Sequence, residues 1–337
     1  MTTNNGPTRA SLGMAPTIRI KGYYFMIDVL ANKKIGVIMG GLSAEKEVSL
    51  TSGGAVENAL RDAGYDVHPI YFDGPGLVDE IKKVSPDVVF IALHGRFGED
   101  GTVQGLLEIM GIPYTGAGVS GSALAMDKAV TKKILKYHGI PTADFVTLDR
   151  KSYDPANTMA ECLGYPLVVK PATLGSTIGM SFVYKAEDLP AAIRLAFEHD
   201  DDVLLEKFIE GREVTAGVID GRPLPLVEIV VPGGVYDYQA KYQSTENKYL
   251  CPAPLDGDTT KKIQAMAVEV YRALKCYGVG RVDFRLDADG GLFVLEMNTI
   301  PGMTSTSLLP KAAAAAGMDF TALVETVLVG GLHRHEG

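Results

Sequence analysis

The chain has 337 residues, of which 46% are hydrophobic and 22% charged, and its net charge is -9 at pH 7. This composition excludes a disordered chain and allows two or three hydrophobic cores. The acidic balance argues against nucleic acid as the main partner, because nucleic-acid binders concentrate Lys and Arg on one face. Three distant cysteines without a CxxC pair, and no apolar stretch of roughly 18 residues, favour a cytoplasmic protein with no membrane association.

The N-terminal third alternates between strand and helix patterns. The first 32 residues lack hydrophobic periodicity, so we expect a disordered leader over residues 1–32. From Lys34, "IGVIMGG", "DVHPIYF" and "PDVVFIAL" are strand patterns, and "SLTSGGAVENALRDAG" is helical. Such alternation is typical of a parallel sheet covered by helices and predicts an α/β domain over residues 33–127.

After Pro141 the pattern changes to strand pairs with glycine turns, separated by longer helices, as in "YPLVVKPATLGSTIGMSFVY" and "GVGRVDFRLDADGGLFVLEMN". This pattern is typical of antiparallel α+β units. It predicts a central domain over residues 128–207 and a C-terminal domain over residues 208–337. The polar stretch "GGVYDYQAKYQSTENKYL" predicts a mobile lid at about residues 233–250.

The hairpin "RVDFRLDADGGLFVLEMN" carries the clearest chemical signal. If residues 289–290 form a two-residue loop, Asp283 lies directly opposite Glu296, and Arg281 lies opposite Asn298, on one face of the sheet. Two bare carboxylates roughly 5 Å apart would repel each other unless a hard cation such as Mg²⁺ lies between them. The alternative is that one carboxylate is exposed or paired with Arg281, with a bulge breaking the register.

Two further segments suit a nucleotide. "VVKPATLGSTIG" places Lys170 at a strand end before a loop of small residues, whose N–H groups could approach phosphates, although a plain flexible loop explains it as well. "VLLEKFIEGRE" could present its backbone to a purine edge and Glu213 to ribose hydroxyls. Taken alone, an exposed strand end explains that segment better.

"GGLSAEKEVSLTSG" follows a strand and opens a helix, so that its N–H groups could face an anion. Glu45 would suit a substrate ammonium group instead. The alternative is that Ser43 and the acidic residues only cap the helix.

Six motifs in order, "GGLSAEKEVSL", "LHGRFGEDGTVQG", "MDK", "KPATLGSTIGM", "YDYQAKY" and "GRVDF...LEMNTIPGMTSTSLLP", resemble those of the D-alanine:D-alanine ligases of the ATP-grasp superfamily. The resemblance runs from about Lys33 to the last helix. It implies the ATP-grasp fold, in which an N-terminal parallel α/β domain precedes two α+β domains that hold ATP between them.

The resemblance also implies roles for individual residues. The ATP-binding residues would be Lys128, Lys170, Gly175, Ser176, Thr177, Glu206, Phe208, Ile209, Glu213 and Lys241. The ligands of two Mg²⁺ or Mn²⁺ ions would be Asp283, Glu296 and Asn298. The D-alanine contacts would be Glu45, His94, Tyr242, Arg281, Ser307 and Leu308. The catalytic set would be Glu45, Ser176, Tyr242, Arg281, Gly302 and Ser307.

The implied reaction is ATP-dependent ligation of two D-alanines through a D-alanyl phosphate, with release of ADP and phosphate, for peptidoglycan precursor synthesis. Tyr242 implies a dipeptide rather than an ester with D-lactate, and the resemblance implies a homodimer. Two alternatives stay open: an ATP-grasp ligase with another amino-acid acceptor, and a regulatory protein that binds the nucleotide without catalysis.

Overall fold

The structure, a computed structural model, describes residues 27–154, 162–231 and 247–335. Its helices are α1 (Ile27–Leu30), α2 (Lys46–Asp62), α3 (Leu77–Val84), α4 (Thr102–Ile109), α5 (Val119–Met126), α6 (Lys128–Tyr137), α7 (Leu189–Phe197), α8 (Gly257–Ala273), α9 (Leu308–Ala315) and α10 (Phe320–His335). Its strands are β1 (Lys34–Gly40), β2 (Asp66–Phe72), β3 (Val88–Ile91), β4 (Phe145–Asp149), β5 (Leu167–Pro171), β6 (Ser181–Val183), β7 (Asp202–Lys207), β8 (Arg212–Ile219), β9 (Arg222–Pro223), β10 (Val227–Val230), β11 (Lys248–Leu250), β12 (Val279–Leu286) and β13 (Leu292–Asn298).

The first sheet is parallel, as the alternating pattern predicts. Its strand order is β2-β1-β3, with Lys34 beside Asp66 and Ile35 beside Val88. The near-continuous apolar run of β1 is buried because a parallel sheet is covered on both faces. The segments that carry "GGLSAEKE" and His94 follow β1 and β3, so they lie at the carboxyl edge of this sheet.

The second sheet is antiparallel, with the order β4-β7-β5-β6. Val169 and Leu205 are buried with α7 in the core on one face. Because side chains alternate along a strand, the neighbouring Lys170 and Glu206 project to the opposite face. That face turns toward the cleft described below.

The third sheet is also antiparallel, with β11, β10, β8, β12 and β13 in that order and β9 beside β8. Helix α8 covers one face, where Val282 and Phe284 are completely buried. Arg281, Asp283 and Arg285 alternate with these two residues and face the opposite side, so β12 supplies polar side chains to the cleft. Glu296 and Asn298 of β13 line the same cleft.

The predicted pairing at the base of the hairpin is confirmed: Asp283 lies opposite Glu296, and Arg281 opposite Asn298. The predicted two-residue loop at residues 289–290 is wrong. Asp287 N–H donates to the carbonyl of Gly291 at 3.0 Å, so three residues form the loop.

A β-bulge restores the register that the longer loop displaces. Phe284 pairs with Val294, whereas Asp283 pairs with Glu296, which leaves Leu295 as the extra residue. The third loop residue, Gly290, has φ +83°, a conformation that glycine adopts without strain. The loop shifts the pairing by one residue and the bulge shifts it back, so the predicted pairs survive for a different reason.

The two ends of the described chain meet on the first sheet. Leu30 of α1 is completely buried, so the leader predicted over residues 1–32 extends too far. Residues 1–26 lie outside the described residues. Leu323, Val327 and Leu328 of α10 join the core formed by β1, β3 and α2, which ties the last helix to the first sheet.

In the described part of the chain, no single helix is long and apolar enough to cross a membrane. Helices α9 and α10 reach that length only as a pair, and a bend of 104° separates them.

Candidate active site

A cleft of about 450 Å³ opens between the loops of the first sheet and the inner faces of the other two sheets. Every predicted site residue that the structure describes lines this cleft. They are Glu45, His94, Lys128, Lys170, Gly175, Ser176, Thr177, Glu206, Phe208, Ile209, Glu213, Arg281, Asp283, Glu296, Asn298, Gly302, Ser307 and Leu308. Lys241 and Tyr242, with most of the predicted lid, lie outside the described residues.

Asp283 is the centre of the polar hairpin face. Its carboxylate accepts two hydrogen bonds from Arg281, at 2.9 and 2.8 Å, and one from the amide of Asn298 at 3.0 Å. The hydroxyl of Thr215 donates a fourth at 2.5 Å. The structure therefore shows the pairing with Arg281 that the sequence leaves open as an alternative to a cation.

The same face has the donor set of a cation site. Asp283, Glu296 and Asn298 all line one cleft, and the side chain of Glu296 is 29% exposed. Among the described residues, no group of three or more His, Cys, Asp or Glu side chains forms a complete metal site. The donors fit Mg²⁺, which commonly takes one or two carboxylates and completes its shell with water and phosphate oxygens.

Lys170 and Glu206 form a short ion pair across the second sheet. Lys170 Nζ lies 2.5 Å from Glu206 Oε1, and Lys132 Nζ lies 2.8 Å from Glu206 Oε2. Burial raises the pKa of Glu206, but the two ammonium groups outweigh it and lower that pKa to about 2. Burial lowers the pKa of Lys132, and the carboxylate of Glu206 opposes that change. The pKa of Lys170 is raised, because Glu206 and Glu296 outweigh its burial.

Lys132 is a residue that the sequence analysis missed. It lies one helical turn after Lys128 on α6, and residues four apart share one face of a helix. The four-residue spacing from Lys128 could have identified Lys132 from the sequence.

Lys128 joins two walls of the cleft. Its Nζ donates to the carbonyl of Leu174 at 2.7 Å and lies 3.6 Å from Glu296 Oε2. Asp127 fixes the start of α6, because its carboxylate accepts the N–H of Val130 at 2.9 Å. The cap therefore holds Lys128 between the loop that follows β5 and the acidic hairpin of β12 and β13.

The loop after β5 has an unusual backbone. Ser176 and Thr177 have φ values of +54° and +59°, a region that costs non-glycine residues about 1 kcal/mol or more each. The hydroxyl of Ser176 donates to the carboxylate of Glu45. Gly175 lies so close that an added Cβ would be 3.1 Å from Glu45 Oε2. The strained turn thus presses the loop against the start of α2.

The capping alternative for Glu45 and Ser43 is not what the structure shows. Glu45 occupies the N-cap position of α2, but its side chain makes no capping hydrogen bond. The hydroxyl of Ser43 accepts the N–H of Glu45 at 3.2 Å and donates to the carbonyl of His94 at 2.8 Å. Ser43 therefore connects the start of α2 to the segment that follows β3, and Glu45 lines the cleft.

One end of the cleft is apolar and aromatic. The rings of Phe182 and Phe208 meet edge to face at 5.7 Å. Arg285 lies 5.7 Å from the centre of the Phe208 ring and 3.1 Å from the carboxylate of Glu213. Arg285 was also missed, although it continues the alternation of Arg281 and Asp283 along β12.

The other end is formed by the turn that leads into α9. Ser307 is the N-cap residue of α9, and its hydroxyl accepts the N–H of Thr304 at 3.0 Å. An added Cβ on Gly302 would lie 2.9 Å from Ser307 Oγ, so a side chain there would displace the Ser307 hydroxyl. Leu308, the first residue of α9, lies at the wall of the cleft, and the N-terminus of a helix suits a carboxylate.

Two α+β units with lysines on one wall of a shared cleft and an acidic hairpin on the other define the class of the protein, which has the ATP-grasp fold. The chain matches the family model of the D-ala D-ala ligase N-terminus over residues 76–117 and that of the C-terminus over residues 134–329. It therefore belongs to the D-alanine:D-alanine ligase family.

Relatives and solved structures agree with this assignment. The chain is 54% identical over 301 residues to a D-alanine:D-alanine ligase of Syntrophotalea carbinolica, covering 89% of this chain and 97% of the relative. A crystal structure of D-alanine:D-alanine ligase from Bacillus anthracis complexed with ATP has a TM-score of 0.80, with 37% identity, 90% of this chain and 99% of that chain covered. The VanG D-Ala:D-Ser ligase of Enterococcus faecalis has a TM-score of 0.76, with 34% identity and coverage of 88% and 98%.

Proposed function

We propose that the protein joins two D-alanine molecules into D-alanyl-D-alanine at the cost of one ATP, as a step of peptidoglycan precursor synthesis. Membership of the ligase family supports the reaction. In this chain, the main support for the proposal is that every predicted site residue that the structure describes lines one cleft. The alternative of a regulatory protein without catalysis is not favoured, since relatives at about 50% identity over most of the chain are D-alanine:D-alanine ligases.

The nucleotide would lie across the second and third sheets. The apolar end with Phe182 and Phe208 suits the adenine ring, and the backbone at Ile209 suits its edge. Glu213 would take the ribose hydroxyls. The ammonium groups of Lys128 and Lys170 would neutralise the phosphates, with the N–H groups of the 175–177 loop above them.

Asp283, Glu296 and Asn298 would hold the two Mg²⁺ or Mn²⁺ ions, which would supply charge neutralisation to the transferring phosphoryl group when bound. Arg281, on the same hairpin, has a separate role. Two N–H groups of the Arg281 guanidinium donate to Asp283. In this proposal the guanidinium, which has five N–H donors, also donates to the substrate.

In the first step, the carboxylate oxygen of one D-alanine attacks the γ-phosphorus of ATP. The bond from that phosphorus to the bridging oxygen breaks, and ADP leaves with the electron pair. Glu45 would hold the ammonium group of this D-alanine, with Ser176 fixing the carboxylate of Glu45 and His94 beside the site. Lys241, from the lid, would reach the transferred phosphate. The product is a D-alanyl phosphate.

In the second step, the ammonium group of the second D-alanine loses one proton to solvent, and the resulting amine attacks the acyl carbon. The nitrogen of the adduct loses a second proton, also to solvent, and the bond from the acyl carbon to the phosphate oxygen breaks as phosphate leaves. Ser307 and the N–H of Leu308 would bind the carboxylate of this acceptor at the start of α9. Arg281 and the N–H of Gly302 would stabilise the oxyanion of the tetrahedral adduct. Tyr242, assigned with Glu45 and Ser176 to the first D-alanine, favours the dipeptide over an ester product.

Because an acyl phosphate hydrolyses in water, the cleft must be covered while the second step proceeds. We infer that the lid at about residues 233–250 provides this cover, together with the loop at residues 172–179.

We also infer a cytoplasmic homodimer. ATP is a cytoplasmic substrate, and Cys162, Cys251 and Cys276 are free thiols, as expected in a reducing compartment. We place the dimer contact in the N-terminal domain, as the resemblance to the ligases implies. Light scattering at low micromolar concentration should give about twice the 36.0 kDa of one chain; a mass of one chain would contradict the dimer.

The test of the function is phosphate release from Mg-ATP with D-alanine, L-alanine, or D-alanine mixed with D-lactate or D-serine, with the products identified by mass. Phosphate release with D-alanine alone, matched mole for mole by dialanine, is expected. A mixed product in preference to dialanine would replace the proposed acceptor, and no release with any substrate would contradict ligase activity.

A further inference from the structure

Lys132 is a buried cation behind the cleft. Its side chain is 0% exposed, and the residue is not part of the cleft wall. Its Nζ lies 2.8 Å from Glu206 Oε2 and donates to the hydroxyl of Thr142 at 2.6 Å. A buried ammonium group costs free energy unless it is paired and hydrogen-bonded. A buried ion pair seldom stabilises a fold more than apolar side chains of the same volume would, so stability alone does not explain this lysine.

The combined charge of Lys132, Glu206 and Lys170 explains the buried Lys132 better. Glu206 shares one carboxylate between two ammonium groups, with Lys170 on Oε1 at 2.5 Å and Lys132 on Oε2 at 2.8 Å. The three side chains together carry a charge of +1. Without Lys132, Lys170 and Glu206 would form a neutral pair, although both line the cleft into which phosphates would enter.

We propose that Lys132 is a positioning residue that neutralises Glu206 from behind and thereby leaves the positive charge of Lys170 available to the phosphates of the nucleotide. The inference rests on the proposed function in taking a nucleoside polyphosphate as the ligand. It assigns Lys132 no contact with the substrate. Its effect passes through Glu206 and Lys170 and therefore depends on the charge of the ligand.

A purely structural role predicts a different pattern. If Lys132 only kept β7 in place, its loss would disturb the adjoining adenine end of the cleft, and adenosine would lose as much affinity as ADP. An electrostatic role predicts a loss that grows with the number of phosphates, since the interaction energy is proportional to the ligand charge.

The test is the affinity of the full-length protein for ADP, AMP and adenosine, measured by calorimetry for the wild type, K132M, the double variant K132M/E206Q and K133M. Methionine keeps the length of the lysine stem and removes the charge. The double variant removes both charges of the rear pair and returns the cluster to +1. Lys133, its exposed neighbour on α6, provides the matched control.

We expect K132M to weaken ADP binding by about tenfold and AMP binding less, and to leave adenosine binding within about twofold. The double variant also loses the contact of Glu206 with the nucleoside, so it should restore the ratio of ADP affinity to adenosine affinity toward that of the wild type, and K133M should match the wild type. Equal losses for the three ligands in K132M, or an unrestored ratio in the double variant, would overturn the proposal. If K132M does not fold, K132Q, which can keep a hydrogen bond to Thr142, is measured against the same expectations.

A wild type that binds no ADP would contradict the proposed function itself. A wild type that binds ADP, beside a folded K132M that binds it equally well, would contradict only the role of Lys132. With saturating ATP, K132M should keep most of its kcat while its KM for ATP rises.

Discussion

Gly302 has room for a hydrogen atom but not for a methyl group, because an added Cβ would lie 2.9 Å from Ser307 Oγ. We expect Gly302→Ala to displace Ser307 and to raise the KM for the acceptor D-alanine by about tenfold, or about 1.4 kcal/mol. Steady-state kinetics at saturating ATP would measure this. Gly54→Ala on α2 is the matched control, because an added Cβ there meets nothing within 4 Å. An unchanged KM in Gly302→Ala would contradict the acceptor site at Ser307.

The ionised carboxylate of Glu206 makes the free energy of unfolding depend on pH in acid solution. Its pKa is lowered from 4.5 to about 2, so its contribution is present above pH 4.5 and is lost as the pH falls toward 2. Between pH 6 and pH 3 the wild type should lose about 2 kcal/mol of unfolding free energy from this group alone.

Urea unfolding across that pH range, compared with K132M/E206Q, isolates the contribution. The double variant lacks the titrating carboxylate, so its stability should fall less steeply with acid. Parallel curves for the two proteins would show that Glu206 is not held ionised by its two lysines.

Among the elements, the loop after β5 depends on the turn before β7. The N–H and the hydroxyl of Thr173 both donate to Asp200 Oδ2, at 2.8 and 2.7 Å. We expect Asp200→Ala to loosen the loop, which should raise the KM for ATP several-fold and speed amide hydrogen exchange over residues 173–180. The exposed neighbour variant Asp201→Ala should leave both quantities unchanged. Slow exchange in Asp200→Ala would mean that the loop is held elsewhere.

The hairpin shows how far the sequence alone can go. Counting back from a two-residue loop placed Asp283 opposite Glu296, and alternation along the strands then put both side chains on one face of the sheet. The three-residue loop and the bulge at Leu295 were not predicted, because alternation tells which residues share a face but not the length of a turn or the position of a bulge. The correct pairing resulted from two deviations that cancel.

Residues defined by tertiary partners were harder to predict than residues defined by motifs. Lys132 and Arg285 carry a periodic signal, but only the folded chain shows that Glu206 and Glu213 lie beside them. The motifs located the cleft, whereas the charge balance within it depends on side chains from strands distant in sequence. Lys241 and Tyr242 stay predictions.

For the whole molecule, the last helix makes the first sheet dependent on the C-terminus. Leu328 of α10 is completely buried in the core that also contains Ile35 and Val56. Leu328→Ala should cost about 2 to 5 kcal/mol of unfolding free energy by urea denaturation. Ile109→Ala, at a site 88% exposed, should change it by less than about 0.5 kcal/mol. A neutral Leu328→Ala would show that α10 does not support the sheet.

The central claim is that this cleft activates a carboxylate by phosphorylation and passes it to a second D-alanine. The most direct measurement supplies D-alanine labelled with ¹⁸O in both carboxylate oxygens and follows phosphate and peptide by mass. We predict that each phosphate released carries one ¹⁸O atom and that the peptide carbonyl keeps the other. Phosphate without label, or label without a dialanine product, would contradict the account.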